Sequence, residues 1–270
     1  MANFDLVSRP IRLLGQERGV QGGAGCHYFA NLPLDFAEFD DLLAVLRASG
    51  FTPDTVIDIG ANVGLFSLVA ADAFPAAQVH AYEPSPETFA ALSANAEPCP
   101  RIAVYNLAIS DKPGEMTFRP GGPVNRDRSS GAHFVNDPAR FDASFDITVP
   151  TTTLNAEAAR LGLDGRMLVK IDVEGFEYDV FAGGGDLVAS PDAVFFAEFN
   201  SWALIGLRNM NPRTLLDWMM RSFGFVYRIH RDKGFQRLVT AEQALTFIND
   251  NLTKHGCVDD LVAAQFELRA

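Results

Sequence analysis

Three groups of residues in this 270-residue chain have types and spacing that could do chemistry. The first is Val56-Ile57-Asp58-Ile59-Gly60-Ala61-Asn62-Val63-Gly64, an apolar β-branched run that reaches an acid, turns through two glycines and opens into a helical pattern at Leu65. The second is Glu83, which closes another apolar run, Val79-His80-Ala81-Tyr82. Strand, Gly-rich turn, helix, strand and acid is how an α/β sheet holds a nucleoside, with the second acid on the ribose hydroxyls. The third group is Lys170, Asp172 and Glu174, alternating along Met167-Leu168-Val169-Lys170-Ile171-Asp172, with Glu198 and Asn200 ending the next apolar run. A period of two puts alternate residues on one face of a strand. Carboxylates there can take a proton from a hydroxyl, bind an amino group or ligate Mg²⁺.

The turn discriminates between nucleosides. A dinucleotide fold needs a glycine in the middle of Gly-x-Gly-x-x-Gly so that the backbone can touch a pyrophosphate. That place is held by Asn62, and the third glycine's place by Leu65. A side chain at 62 crowds a pyrophosphate but not a ligand without phosphates. S-adenosylmethionine is such a ligand, its methionine arm crossing the turn and its ribose reaching Glu83. Asp58, Gly60, Ala61, Asn62, Gly64 and Glu83 are therefore the expected cofactor residues, and S-adenosylmethionine is favoured over a nicotinamide cofactor. The plainer alternative is that Gly60 and Gly64 only make a tight strand-to-helix connection, with Asp58 a buried acid satisfied by turn amides.

A lysine in an apolar parallel strand is costly unless paired. Lys170 is expected either in a structural ion pair with Asp172 or Glu198, or tuning an Asp172 that contacts the cofactor's amino group or the acceptor. Asp172, Lys170 and Glu198 form the candidate catalytic set. Asp172, Glu198 and Asn200 offer hard oxygen ligands for a divalent ion, the less favoured reading. His133 and His230 are possible bases. Trp202 and Phe199 either line an acceptor pocket or pack in the core.

Strand and helix signals alternate from about Thr55, which argues for a mostly parallel sheet covered on both faces. Phe39, Leu42, Leu43 and Leu46 have amphipathic helical spacing, and no β-pattern stands out before residue 50. Ser85-Pro86 and Asn211-Pro212 read as helix starts. Met116–Phe118 and Ile147–Val149 read as short strands around a long polar loop, Arg119 to Asp146, suited to a lid or to acceptor binding. Phe225–His230 and Phe235–Val239 read as a terminal hairpin, and the chain from Thr240 as helical. The expected organisation is a cap over 1–50, a cofactor-binding domain over 51–240 carrying the 119–146 insertion, and a helical extension over 241–270.

Composition narrows the partners. Apolar residues make up 48% and charged residues 21%, as in a globular protein. A net charge of −12 repels polyanions, so neither nucleic acid nor an anionic membrane is an expected ligand, and a small or neutral acceptor is. The first residues lack a signal-peptide pattern, and no apolar run reaches membrane-spanning length. Cys26, Cys99 and Cys257 are odd in number and scattered, which fits reduced thiols in the cytoplasm.

The segments Val56–Gly64, Tyr82-Glu83-Pro84-Ser85-Pro86, Asn106-Leu107-Ala108-Ile109-Ser110-Asp111 and Leu168-Val169-Lys170-Ile171-Asp172-Val173-Glu174-Gly175-Phe176-Glu177 resemble the FkbM-type methyltransferases, S-adenosylmethionine-dependent enzymes that act mostly on hydroxyl oxygens. The resemblance implies a class I methyltransferase fold, a Rossmann-like three-layer sandwich. It would have a seven-stranded, mostly parallel sheet whose last hairpin supplies the one antiparallel strand. It also implies a methionine-side turn of Gly60, Ala61, Asn62 and Gly64, Glu83 on the ribose diol, and Asn106 and Ala108 flanking the adenine. One departure stands out: Thr153-Leu154 is followed by Asn155 where the family carries Asp. The first 50 and last 40 residues take no support from the resemblance. Two other readings remain: an NAD(P)-dependent oxidoreductase, disfavoured by Asn62 and the lack of a Tyr-x-x-x-Lys pair, and an inactive cofactor-binding protein, kept open by Asn155. No Asp/Asn-Pro-Pro-Tyr/Phe motif for adenine amino methylation is present, and Pro98-Cys99 is an isolated likeness to cytosine-C5 enzymes.

Overall fold

The computed structural model describes residues 6–13, 16–23, 37–120, 133–135, 146–230 and 234–269. In chain order the elements begin with β1 (Leu6–Leu13), β2 (Gln16–Gly23) and α1 (Ala37–Ala48). The alternating part then runs β3 (Thr55–Ile59), α2 (Leu65–Ala73), β4 (Gln78–Tyr82), α3 (Pro86–Ala96) and β5 (Ile102–Tyr105). A small sheet follows, from β6 (Ala108–Ile109), β7 (Gly114–Arg119), β8 (His133–Phe134) and β9 (Ile147–Thr152). The rest comprises α4 (Leu154–Leu161), β10 (Met167–Ile171), α5 (Glu177–Ala182), α6 (Gly185–Val188), β11 (Ala193–Asn200), α7 (Ser201–Gly206) and α8 (Pro212–Ser222). It closes with β12 (Phe225–His230), β13 (Gly234–Arg237), α9 (Ala241–Lys254) and β14 (Val258–Ala264).

The main sheet has the order β13-β12-β14-β11-β10-β3-β4-β5. β3, β4, β5, β10 and β11 pair in parallel. β3 and β10 are buried at every residue, as central strands covered on both faces must be. Alternate residues feed two cores. Val56, Leu168, Val194, Phe196 and Val262 pack on the side of α1, α2 and α3. Ile57, Ile59, Val169, Ile171, Phe195 and Ala263 pack on the opposite face, against the helices from α4 onward. This is the expected three-layer sandwich.

The antiparallel strand is not the one expected. The hairpin β12–β13 lies at the sheet edge, and β14 inserts between β11 and β12, antiparallel to both. The sheet therefore has eight strands rather than seven. Residues 241–270 are not a helical extension: α9 delivers a buried strand. Two acids at its start and a run of alanines hide β14 from propensity. Asp259 sits in the interior because Asn251 Nδ2 donates to it at 3.0 Å, His255 Nδ1 lies 2.9 Å away, and Arg228 is 3.9 Å away.

The N-terminal segment also departs from expectation. β1 and β2 form an antiparallel hairpin, pinned by Gln21 N to Asn95 Oδ1 (2.7 Å) on α3 and by Arg18 to Asp72 (2.6 Å) on α2. α1 forms where its spacing predicts and sets Phe39 edge-on to Phe66 at 5.0 Å. The insertion is rooted by a bidentate pair, Arg119 Nε to Asp146 Oδ1 at 2.6 Å and Nη2 to Oδ2 at 2.8 Å, with Arg119 only 2% exposed. Most of the expected lid, with Arg126 and Arg128, lies outside the described residues, as do the side chains of His133 and His230. Among the described residues no helix is long and apolar enough to cross a membrane.

Candidate active site

At the carboxyl edge of β3, β4, β10 and β11 the chain leaves a cavity of about 300 Å³. Gly60, Asn62, Glu83, Ala108, Asp172, Glu174, Glu198 and Asn200 line it, as do the unforeseen Tyr82, Pro84, Leu107, Ile109, Phe118 and Val258. It shares Gly60, Asn62 and Asp172 with a smaller recess of about 50 Å³ bounded by Phe39, Ala61 and Lys170.

The turn after β3 is built for close approach. Gly60 has φ +73°, and a Cβ there would collide with the Asp172 carbonyl oxygen, so only glycine lets β3 and β10 end side by side. Asn62 has φ +52°, a left-handed conformation that Asn tolerates. In this conformation its backbone N–H donates to Glu83 Oε2 at 3.0 Å. Ser85 N–H donates to Glu83 Oε1 at 2.9 Å. Glu83 is 6% exposed, and burial pushes its pKa up to about 7, against the opposing pull of those two N–H bonds and Lys170.

Asp58 is fully buried under the turn and does not line the cavity. Its partners are not turn amides: Ser67 Oγ donates to Oδ2 at 2.6 Å, and Lys170 Nζ lies 3.4 Å from Oδ1. Lys170 pairs with Asp58 across the β3–β10 register, donates to the Gly60 carbonyl at 2.8 Å and lies 3.3 Å from Asp172 Oδ2. One buried ammonium thus ties the turn, the acid beneath it and the acid facing the cavity.

The alternation that sends Val194 and Phe196 to one core puts Glu198 on the same sheet face as Lys170 and Asp58. β14 sets Asp260 directly across from it in register. Burial first, and then the neighbouring carboxyl groups of Asp172, Glu174, Glu177 and Asp260, raise the Glu198 pKa well above the ordinary carboxylate range. Among the described residues its Oε2 has no hydrogen-bond donor. At the cavity wall such a carboxyl is the stronger base in its ionised form and a proton donor in its neutral form.

Other candidates fall elsewhere. Asn106 turns its amide onto the carbonyls of Glu83 (2.9 Å) and Pro84 (3.0 Å) and does not line the cavity, whereas Ala108 does, with Leu107 and Ile109. Asn200 accepts from Ala203 N–H at 3.0 Å as the cap of α7, and its amide lies 3.4 Å from Glu174. The oxygen wanted for a metal is therefore engaged, and no group of three His, Cys, Asp or Glu able to hold a metal exists among the described residues. Asn155 sits at the start of α4 and accepts from Asp186 N–H at 3.3 Å, away from the cavity wall, so its departure from the family pattern does not touch the site. Phe199 is core, edge-on to Phe247, while Trp202 is 59% exposed and is not. Phe118 and Val258 had no local signal: one arrives with the insertion and the other with β14. Glu174 stood in view within Lys-Ile-Asp-Val-Glu-Gly.

The comparisons agree with this geometry. The model of the methyltransferase FkbM domain matches residues 58–236. The 2-O-methyltransferase NoeI of Sinorhizobium fredii is 31% identical over 192 residues, covering 66% of this chain and 76% of NoeI. The 31-O-demethyl-FK506 methyltransferase FkbM of Streptomyces tacrolimicus is 34% identical over 157 residues, covering 49% of this chain and 60% of that protein. The hexuronic acid methyltransferase AglP of Haloferax volcanii is 26% identical over 53% of this chain and 55% of its own. A family match across the turn, Glu83 and the Lys170–Glu177 run, over well more than half the chain, identifies this protein as a methyltransferase of the FkbM family.

Proposed function

We propose that this protein transfers a methyl group from S-adenosylmethionine to a hydroxyl oxygen of a small-molecule or carbohydrate acceptor. The observation that carries the reading is Glu83, a buried carboxylate fixed by Asn62 and Ser85 amides at the wall of the cavity. Glu83 would receive the ribose diol, Gly60, Ala61 and Asn62 the methionine arm, and Asp172 its ammonium. Ala108, Leu107 and Ile109 would offer an apolar face to the adenine. The bound cofactor supplies an electrophilic methyl on a sulfonium.

The protein's own part is alignment and proton removal. Holding acceptor and methyl in line can contribute on the order of 7–11 kcal/mol in favourable intramolecular cases. Glu198, which the raised pKa makes the stronger base once it is ionised, would take the acceptor's hydroxyl proton during methyl transfer. Lys170 keeps Asp172 and the turn in register. The acids around the cavity disfavour an acceptor carrying phosphate or carboxylate next to its reactive hydroxyl, and the net charge of −12 disfavours nucleic acid.

Calorimetry with S-adenosylmethionine and with NAD, followed by release of S-adenosylhomocysteine over a panel of hydroxylated acceptors, tests the proposal. Micromolar binding of S-adenosylmethionine and no response to NAD is expected. Tight NAD binding without a response to S-adenosylmethionine would overturn it.

A further inference from the structure

The loop after β10 carries two acids into the cavity, Asp172 and Glu174. It does so in an unusual backbone conformation: Glu174 has φ +53° and Gly175 φ +95°. A β-carbon-bearing residue persists in the left-handed region only where its surroundings over-determine it. One constraint is steric, since a Cβ at Gly175 would sit 2.9 Å from the carbonyl carbon and oxygen of Ala203 in α7. The other is a carboxyl group that no earlier step employs. Glu177, first residue of α5 and fully buried, accepts from Gly175 N–H at 3.0 Å and Val173 N–H at 3.3 Å through one oxygen, Oε1. Its Oε2 has no hydrogen-bond partner among the described residues. The N–H groups on either side of Glu174 therefore converge on a single acceptor atom, which fixes the direction in which the Glu174 side chain leaves the loop.

We infer that Glu177 is a positioning residue of this active site, its Oε1 clamping the amides of Val173 and Gly175 so that Asp172 and Glu174 face the cavity. Without that acceptor the buried Gly175 amide would have no partner, and the left-handed pair would relax. Burial and the neighbouring Asp172 charge push the Glu177 pKa up to about 8, so at neutral pH the group is a protonated carboxyl. Glutamine has the same reach, the same carbonyl acceptor and the same neutral charge. Aspartate is one methylene too short to meet both amides.

The inference rests on the proposed cofactor pocket, and the test separates the two. S-adenosylhomocysteine is titrated calorimetrically into the wild type, Glu177→Gln, Glu177→Asp and Glu177→Ala, with amide hydrogen exchange measured on each. Glu177→Gln should keep the wild-type affinity and slow exchange at Val173 and Gly175. Glu177→Asp and Glu177→Ala should lose about tenfold in affinity and in protection at those two amides, with Leu168–Ile171 unchanged, as expected when a buried donor is left unmet. Wild-type affinity and protection in Glu177→Asp and Glu177→Ala would overturn the inference. So would Glu177→Gln behaving like Glu177→Ala. If the alanine variant does not fold, the aspartate and glutamine variants decide. A wild type that ignores S-adenosylhomocysteine would refute the cofactor reading, and the exchange pattern would still decide the clamp.

Discussion

The backbone N–H of Asn62 lies 3.0 Å from Oε2 of Glu83. In a dinucleotide fold the amides of this turn are left free for a pyrophosphate. Here the left-handed Asn62 aims its amide at the protein's own carboxylate instead. The turn and Glu83 are one unit, and the residue that puts a side chain where a dinucleotide turn has glycine also holds the carboxylate proposed to take a diol.

That unit predicts a pH-dependent affinity. A ribose diol donates two hydrogen bonds to an ionised Glu83, whose pKa without ligand lies at about 7. Affinity for S-adenosylhomocysteine should therefore rise by about tenfold between pH 6 and pH 8, following the fraction of Glu83 ionised. Glu83→Gln should bind more weakly and flatten this profile. A wild-type affinity that stays level across this range, measured by calorimetry, would remove Glu83 from the ribose site.

Stability of the ligand-free protein should move the opposite way. Glu83 and Glu177 ionise at about 7 and about 8 in the folded protein, against 4.5 when unfolded. Between those values the native state holds protons that the unfolded state has released, so stability falls as pH rises from about 4.5 to 8. Urea midpoints at pH 5.5 and pH 8 check this, and Glu177→Gln should shrink the difference. A higher midpoint at pH 8 contradicts the assignment.

Lys170→Met should destabilise by about 3–5 kcal/mol, because it strands the fully buried Asp58 without its cation. Adding Asp58→Asn should restore much of the stability but not cofactor affinity, since the Gly60 carbonyl and Asp172 remain released. Chemical denaturation of the single and double variants, alongside titration, separates these effects. Full recovery of binding in the double variant would make Lys170 purely structural.

Glu198→Gln should lower kcat by roughly 10²–10⁴-fold, as loss of a general base does, with S-adenosylhomocysteine affinity unchanged. Asp172→Asn should weaken affinity and turnover together with little loss of stability. A fully active Glu198→Gln variant would eliminate it as the base.

Deleting residues 255–270 should abolish folding rather than trim an appendage. β14 supplies Leu261, Val262, Ala263 and Ala264, all at most 1% exposed, and lies between β11 and β12, paired with both. Circular dichroism of the shortened chain decides the matter; a cooperative thermal transition like the wild type's would show β14 to be dispensable.

The sequence by itself determined the alternating core and the candidate residues at its carboxyl edge. Val56–Ile59 and Met167–Ile171 are apolar on both faces but for Asp58 and Lys170, as central parallel strands are. Gly60, Asn62 and Glu83 stood out by residue type and spacing before any partner was known, although Gly60 is held to glycine by the Asp172 carbonyl and Asn62 bonds Glu83 across 21 residues. The tertiary structure alone decided what lies far apart in the chain: Lys170 binding Asp58 rather than simply its neighbour Asp172, Asp260 facing Glu198, and Phe118 and Val258 closing the cavity. β1 and β2 were hidden because glycine and charged residues blur their alternation, and β14 because its acids are masked by partners on β12 and α9. A strand whose polar residues are satisfied only after folding carries no periodic signal. Phe118 and Val258 likewise carry no local signal, so their place at the cavity wall emerges from packing and not from order along the chain.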